Sequence, residues 1–186
     1  MIGETFEEVL QAARTGLDWA FESLYRDLSP SVIGYLRAQG ASDPEELTSD
    51  VFVEMIRSLP KFDGDEETLR TWVFWIAHRR LLEELEWRPW RKDELADPQH
   101  LADALAARDR EAAEVHAFKR VGTRWAAEAL VELPPEERTV FLLRVIGGLD
   151  VSQVAQVLDK PVSGVRALQS RAVGRLGRKV EEDAVA

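Results

Sequence analysis

The stretch of sequence that decides the fold is Val151-Ser152-Gln153-Val154-Ala155-Gln156-Val157-Leu158, followed by Asp159-Lys160 and Pro161. The apolar residues of the first run recur at helical spacing, which predicts a short helix with one buried face. Pro161 favours the first turn of another helix, so only two residues separate the two helices. Helices joined so tightly must cross steeply, which predicts a helix-turn-helix. Asp159 stands where such turns often have glycine, and aspartate tolerates left-handed backbone better than most residues.

The second helix of this unit, predicted over Pro161–Val180, has one apolar face and one face that is small and basic. Its predicted inner residues are Val165, Leu168, Ala172 and Leu176. Small residues opposite them let the backbone come close to a major groove, and guanidinium groups at the flanks reach phosphates or guanine edges. A solvated or partner-packing helix that happens to be basic is the alternative. The predicted DNA contacts are Lys160, Ser163, Arg166, Ala167, Ser170, Arg171, Arg175 and Arg178.

The charge of the chain is unevenly distributed. The formal net charge is −10, and residues 1–95 hold 20 acidic and 11 basic side chains, whereas residues 131–186 hold 8 of each. Within the second range, the segment from Lys160 to Lys179 has six basic residues and no acidic one. An acidic half joined to a locally basic helix predicts two partners of different charge.

Composition excludes several classes of protein. The 186 residues are 45% hydrophobic and 31% charged, as in folded proteins of one large or two small domains. The absence of cysteine excludes disulfides and thiolate sites. The three histidines, His78, His100 and His116, lack a ligand-type spacing, and no glycine-rich phosphate loop is present, so we predict no metal and no cofactor and consider an enzyme the weakest class.

The N-terminus and the hydropathy predict a protein that stays inside the cell. Acidic residues stand where a secretory signal needs basic ones, and no apolar run approaches the roughly 18 residues that span a bilayer. We therefore expect a cytoplasmic protein with no membrane insertion.

Helical signals also dominate the rest of the chain, and no stretch convincingly predicts a strand. Ser42-Asp43-Pro44-Glu45-Glu46 is a helix start with a capping residue, a first-turn proline and acids. On the helix that it opens, Leu47, Val51 and Met55 form one apolar row and Phe52, Ile56 and Leu59 another. The predicted helices are one that begins near Phe6, then Asp18–Leu28, Pro30–Gln39, Pro44–Leu59, Glu67–Trp87, a short one at Leu101–Ala106, Glu111–Glu132 and Pro135–Ile146.

Two of these helices carry outward faces of interest. One face of the helix that starts at Pro44 carries Glu46, Asp50, Glu54 and Arg57. The simplest interpretation is that these side chains are only solvated. On the next helix, Trp72 and Trp75 lie on a polar face with Arg79, Glu83 and Glu86. Exposed tryptophans are costly unless they pack or bind something. Unstacked bases are one candidate ligand, and core packing against an earlier helix is the alternative.

Five stretches of the sequence resemble a known family. Three of them look like conserved region 2 of the sigma-70 family, most closely of its extracytoplasmic-function (ECF) branch. They are Asp43-Pro44-Glu45-Glu46-Leu47-Thr48-Ser49-Asp50-Val51-Phe52, Leu59-Pro60-Lys61-Phe62 and Arg70-Thr71-Trp72-Val73-Phe74-Trp75-Ile76-Ala77-His78. Region 4 of the same family resembles the helix-turn-helix and the stretch before it, Leu133-Pro134-Pro135-Glu136-Glu137-Arg138-Thr139-Val140-Phe141-Leu142-Leu143-Arg144. The resemblance implies an all-α protein of two helical domains, with a region 2-like bundle at 1–92, a linker at 93–110, a region 4-like domain at 111–180 and an acidic tail at 181–186.

The resemblance also implies a bacterial, cytoplasmic sigma factor that binds core RNA polymerase and recognises promoters, associated with the nucleoid through that enzyme. Its partners would be the clamp helices of the largest polymerase subunit and the flap, promoter DNA and an anti-sigma factor, and the linker would run near the RNA exit path. The core-binding residues would be Glu46, Leu47, Asp50, Glu54 and Arg57. The residues at the downstream promoter element would be Trp72, Trp75, Arg79, Arg80, Arg88, Arg91 and Lys92, and the helix-turn-helix would read the upstream element.

The sequence departs from the family pattern at three positions. Arg79 stands where asparagine is common, Glu86 where a basic residue is common, and Ser170 where a larger polar side chain is frequent. The acids Glu83, Glu84 and Glu86 leave open a sigma-like regulator that binds polymerase or an anti-sigma factor but initiates poorly. A second alternative is a stand-alone helix-turn-helix regulator whose acidic half is a sensor or dimerisation domain.

Overall fold

Four helices of the N-terminal half share one apolar interior, and we call them the N-terminal module. The computed structural model describes residues 2–87, 98–99, 101–103 and 127–185. Each helix buries one stripe of apolar side chains, and Leu10, Leu24, Met55 and Phe74 meet in the interior with at most 1% of their surface exposed. The helices are α1 (Phe6–Arg14), α2 (Asp18–Ala38), α3 (Pro44–Ser58) and α4 (Glu66–Glu86), with short 3-10 turns at Gly3–Thr5 and Leu59–Lys61.

Helix α2 is continuous, which corrects the prediction of two helices, Asp18–Leu28 and Pro30–Gln39. A proline inside a helix removes one backbone hydrogen bond and costs about 3 kcal/mol. The apolar residues on either side of Pro30, among them Leu28 and Val32, are buried in the same interior. Burying one such side chain contributes about 1.5 to 3 kcal/mol, so the shared stripe outweighs the break that the proline would otherwise cause.

Helices α3 and α4 both begin with an aspartate N-cap. Asp43 accepts a hydrogen bond from the backbone N–H of Glu46 at 2.8 Å, and Pro44 is the first helical residue, which confirms the predicted start of α3. At α4, Asp65 accepts from the hydroxyl and the backbone N–H of Thr68 at 2.6 and 2.8 Å. These two hydrogen bonds lower the pKa of Asp65. The turn before α4 is thereby fixed, and with it the orientation of the aromatic face of α4.

The C-terminal module contains the predicted helix-turn-helix. Its helices are α5 (Pro135–Val145), α6 (Val151–Val157) and α7 (Val162–Val185), and residues 127–131 are helical as well. Asp150 and Gln153 form a capping box at the start of α6, with bonds of 2.8 and 2.6 Å. Asp159 adopts the left-handed backbone expected of the turn, with a φ of 49°. Helix α7 runs to Val185, past the predicted end at Val180 and through most of the predicted tail at 181–186.

The two modules pack directly against each other, which the sequence did not predict. The turn between α5 and α6 rests on α4: a Cβ at Gly147 would lie 3.3 Å from the ring of Phe74 and 2.6 Å from the carbonyl oxygen of Leu143. Arg70 of α4 donates to the carbonyl of Gly147 at 3.4 Å and to Asp27 of α2 at 3.2 Å. The buried side chains of both modules consequently form one apolar cluster.

Every regular element in the described ranges is helical, which confirms the all-α prediction. None of the helices that the structure describes is long and apolar enough to cross a membrane. Of the predicted linker at 93–110, residues 98–99 and 101–103 are helical, and Leu101 is fully buried. The remainder of that linker and of the predicted helix Glu111–Glu132, up to residue 126, lies outside the described residues.

Candidate protein and nucleic-acid interfaces

A shallow groove runs between α3 and α4 on the surface of the N-terminal module. We call its lining the α3–α4 face, which consists of Asp50, Val53, Glu54, Arg57, Ser58, Arg79 and Arg80. Asp50 and Arg57 are exposed there, as their spacing on α3 predicted. Glu46, also predicted for this surface, is exposed one turn earlier, whereas Leu47 is partly buried and packs against the core.

Two sets of residues that the sequence assigned to different partners meet on this face. Glu54, expected to contact protein, forms ion pairs with both Arg79 and Arg80, which were expected to contact DNA. Its carboxylate accepts from Nε and a terminal nitrogen of Arg80 at 3.0 and 2.7 Å. The hydrogen bond to Glu54 raises the pKa of Arg80. Glu83 adds pairs of 2.9 Å to Arg79 and 3.4 Å to Arg80. The four side chains therefore form one ion-pair cluster.

The α3–α4 face also has an apolar component that sequence reasoning missed. Val53 of this face is 46% exposed, and Ile56, which is near Val53 on α3 but outside the groove lining, is 37% exposed. Ile56 belongs to the apolar row predicted with Phe52 and Leu59, but those two are buried and Ile56 is exposed. The ring of Tyr25 packs 4.7 Å from that of Phe52, so α2 covers α3 there, while Ile56 one turn later stays at the edge. The spacing of Val53 from Asp50 was a usable signal, because residues three apart share a helix face.

The two tryptophans of α4 have different environments. Trp72 stacks on Phe62, with ring centroids 5.3 Å apart and an interplanar angle of 11°, and it packs against the core. The alternative of core packing is therefore correct for Trp72. Trp75 is 41% exposed, and the guanidinium of Arg79 lies 5.2 Å from the centre of its ring. A half-exposed aromatic face beside a cation is suited to stacking on an unpaired base.

The acidic residues near the end of α4 are partly engaged within the module. Glu84 accepts from the backbone N–H of Ser42 at 3.0 Å and from its hydroxyl, just before α3 begins. Glu83 belongs to the ion-pair cluster with Arg79 and Arg80, and Glu86 is exposed. Arg88, Arg91 and Lys92, predicted to extend the DNA-contacting surface, lie outside the described residues.

Helix α7 presents the predicted outer face. Val165, Leu168 and Ala172 are buried, and Leu176 packs against the core, which confirms the predicted inner face. We call the other side the α7 outer face, and its exposed residues are Ser163, Arg166, Ala167, Ser170, Arg171, Gly174, Arg175 and Arg178. Lys160 lies at its start and binds Glu136 at 2.9 Å, and this hydrogen bond lowers the pKa of Glu136. Among the residues that the structure describes, none covers this face or the α3–α4 face.

Two arginines of α7 are held by an acid that sequence reasoning missed. Glu137 of α5 is only 4% exposed. Its two carboxylate oxygens accept from Nε of Arg171 at 3.2 Å and from Nε of Arg175 at 3.0 Å. No local signal could have revealed this contact, because the acid and the arginines belong to helices that meet only in the folded module.

Both modules match family models. The model described as Sigma-70 region 2 matches residues 24–91, and the model described as Sigma-70, region 4 matches residues 123–176. The first match includes α3, α4 and the α3–α4 face. The second includes the helix-turn-helix and Glu137.

The chain is also similar to curated proteins, and its fold is similar to that of a solved structure. The chain is 26% identical to the ECF RNA polymerase sigma factor BldN of Streptomyces coelicolor over 95% of its length, and it spans 66% of that protein. It is 27% identical to the ECF RNA polymerase sigma factor RpoE of Cereibacter sphaeroides, with 84% of each chain covered. The fold resembles that of CnrH in a complex with the cytosolic domain of CnrY, with a TM-score of 0.63 and 19% identity over 97% of this chain and 99% of the other.

Proposed function

The chain belongs to the sigma-70 family, in its ECF branch, and we propose that it brings core RNA polymerase to promoters and starts transcription there. The observation that carries the proposal is the presence of two exposed faces, one in each family-matched segment. The α3–α4 face lies in the region 2 match and the α7 outer face in the region 4 match. A chain with two open and chemically different faces is suited to contacting two macromolecules at once.

The α3–α4 face is the proposed docking surface for core polymerase, on the clamp helices of its largest subunit. Val53 and Ile56 supply apolar area between charged side chains, a combination typical of protein interfaces. Glu46, Asp50 and Arg57 are exposed beside them, and Glu54 holds Arg79 and Arg80 in place at the edge. Leu47 is partly buried against the core about one turn before Asp50, so its proposed contribution is to hold α3 in place.

The proposed DNA contacts come from both modules. Trp75 offers a stacking surface for a base of the downstream element, and Arg79 reinforces it. Trp72 supports the position of α4 from within. Arg88, Arg91 and Lys92 extend this surface in the proposal. The α7 outer face and Lys160 meet the upstream element as duplex, with small residues towards the groove and arginines towards the phosphates.

The two functional units are proposed to span residues 1–92 and 111–180, with the linker 93–110 near the RNA exit path and the flap as a further contact. We propose that the protein acts in the cytoplasm, with the nucleoid reached through polymerase, and that an anti-sigma factor restrains it. Because sigma factors are not enzymes, we propose that this chain has no catalytic activity of its own.

Run-off transcription with core polymerase from the same organism tests the function. We expect the chain to direct transcripts from a subset of genomic promoters, and we expect weak binding to the same DNA without polymerase because the net charge is −10. A transcript pattern identical to that of core polymerase alone would contradict the proposal. Tight operator binding without polymerase would favour a stand-alone regulator.

The internal partners of the acids near the end of α4 argue against a sigma-like regulator that initiates poorly. That alternative was based on the acids Glu83, Glu84 and Glu86. Glu83 is paired with Arg79 and Arg80, and Glu84 binds the backbone and hydroxyl of Ser42. Since two of the three carboxylates have internal partners, their repulsion of DNA is reduced, which favours an active sigma factor.

Reversing the charge of Asp50 should weaken docking. We expect Asp50→Lys to reduce retention on core polymerase at least tenfold, because like charges that meet in an interface cost several kcal/mol and about 1.4 kcal/mol already changes affinity tenfold. Asp63→Lys is the matched control, since it makes the same charge change at an exposed turn residue outside the proposed surface. Retention measured by biolayer interferometry should fall for Asp50→Lys alone. Equal retention of both variants would remove Asp50 from the interface.

Removing the exposed indole of α4 should impair promoter opening. Stacking on an aromatic side chain contributes about 1 to 3 kcal/mol per base, so we expect Trp75→Ala to slow opening roughly tenfold or more while core binding is retained. Opening can be followed by the fluorescence of a base analogue in the melted strand. Trp19→Ala is the control, because Trp19 is 53% exposed on α2 and belongs to neither face. If both variants open promoters at the wild-type rate, stacking on Trp75 is wrong.

A further inference from the structure

A buried acid lies beneath the arginines of the DNA-binding helix. Glu137 is 4% exposed, and a carboxylate so deeply placed is costly unless charged groups satisfy it. Its partners are Arg171 and Arg175, which are spaced one helical turn apart on α7. The geometry is symmetrical, with one oxygen for each guanidinium and Nε as the donor in both cases.

The bonding leaves the outer ends of both guanidinium groups available. The side chains of Arg171 and Arg175 remain 57% and 49% exposed although each is bound through Nε. Within the described part of the chain, the terminal nitrogens of both guanidinium groups make no hydrogen bond to the protein. A guanidinium has five N–H donors in a rigid fork, so a group fixed through Nε still offers four donors in a set direction.

We propose that Glu137 is a positioning residue for upstream-element recognition, holding Arg171 and Arg175 so that both present their terminal nitrogens to the same stretch of DNA. The role rests on the proposed function, since it assigns a further residue to the region 4 contact. Because the two long side chains are already fixed before binding, DNA binding costs less conformational entropy. Glu137 would thus strengthen DNA binding although its own charge repels phosphate.

The positioning effect of Glu137 and its negative charge have opposite effects on DNA affinity, so the direction of the change in a variant distinguishes them. If Glu137 only added negative charge near the DNA, Glu137→Gln should tighten binding. If Glu137 positions the arginines, the same change should weaken binding, because glutamine keeps one acceptor oxygen and cannot hold both guanidinium groups. The neighbouring Glu136 provides the matched control, since its hydrogen-bonded partner is Lys160, a flexible ammonium without a plane to orient, and Arg171 acts on it only through its charge.

The test uses holoenzyme assembled from the variant chain and core polymerase. Binding is measured to a genomic duplex selected by the wild-type holoenzyme and to a shuffled duplex of equal length. We expect Glu137→Gln to weaken binding to the selected duplex roughly tenfold, as for a lost guanidinium contact, with a smaller change on the shuffled one. We expect Glu136→Gln to leave binding unchanged or slightly tighter. Tighter or unchanged binding by Glu137→Gln would overturn the role, as would equal weakening by Glu136→Gln.

A double-mutant cycle separates positioning from a general structural effect. In the Arg171→Ala/Arg175→Ala background, Glu137→Gln should have no further effect on DNA binding, because the groups through which it acts are gone. A persistent loss in that background would make Glu137 a structural residue and overturn the role. If the wild-type holoenzyme did not distinguish selected from shuffled duplex, the proposed function itself would fail, which is a separate result from failure of the variant.

Discussion

Phe74→Ala is expected to lower the free energy of unfolding by about 3 to 5 kcal/mol, the usual cost of emptying the site of a fully buried phenylalanine. Phe74 is completely buried, its ring meets that of Tyr35 edge-on at 5.7 Å, and Gly147 of the C-terminal module closes over it. The loss should therefore affect both modules. For a chain of this size the melting temperature should fall by roughly 6 to 20 °C.

The next residue along α4 is the control for Phe74. Trp75 is 41% exposed, so Trp75→Ala should cost under about 1 kcal/mol of stability even though more atoms are removed. Urea unfolding followed by circular dichroism measures both variants. Comparable losses for the two would show that Phe74 does not occupy the shared core. Hydrogen exchange adds a spatial readout, because amides of α6 should lose protection in Phe74→Ala if the modules depend on this contact.

Acidification is expected to destabilise the protein through His78 of α4, which is hydrogen-bonded to the buried Tyr35. Burial lowers the pKa of His78 from 6.5 to about 4. The unfolded chain therefore binds a proton more readily than the folded one, and stability that is present above pH 6.5 is lost as the pH falls towards 4. Between about pH 7 and about pH 5 this amounts to about 2 kcal/mol.

The surroundings of His78 explain why its neutral form is preferred. Tyr35 is fully buried, and burial raises the pKa of its hydroxyl, so this group keeps its proton and can donate to Nδ1 of His78 at 2.8 Å. Gln39 donates to the Tyr35 hydroxyl at 3.3 Å and to the hydroxyl of Thr139 in α5 at 2.7 Å. A second proton on His78 would turn its accepting nitrogen into a donor facing this hydroxyl.

The comparison of wild type with His78→Asn tests the histidine. Asparagine keeps an acceptor for the Tyr35 hydroxyl but does not titrate, so the variant should be less stable near pH 7 and should lose much less stability on going to pH 5. His100 and His116 are common to both proteins, so their contribution cancels. The carboxyl groups of Asp65 and Asp150, whose pKa values hydrogen bonds lower, titrate below this window. An equal loss of stability in both proteins would assign the acid sensitivity to other groups.

The local elements of this protein were predictable from the sequence because their causes are local. The apolar spacing in α6 and α7, the left-handed Asp159 and the cap at Asp43 act within a few residues of themselves, and each was confirmed. Pro30 was the exception. Its local signal ends helices, whereas the buried stripe that keeps α2 continuous depends on the neighbouring helices. The all-α class followed from the sequence, and so did the resemblance that the family matches confirmed.

The contacts between helices were decided by the tertiary structure. Trp72 and Trp75 read as equivalent on a helical face, and only the position of Phe62 buries the first and leaves the second exposed. Glu54 joins two arginines of the next helix, and Glu137 joins two arginines of the last. Ion pairs of this kind leave no periodicity in a sequence, since charge acts through space and the partners lie far apart along the chain. The amino-acid order therefore specified the helices and their faces, while packing determined which charged groups are held and which remain open to partners.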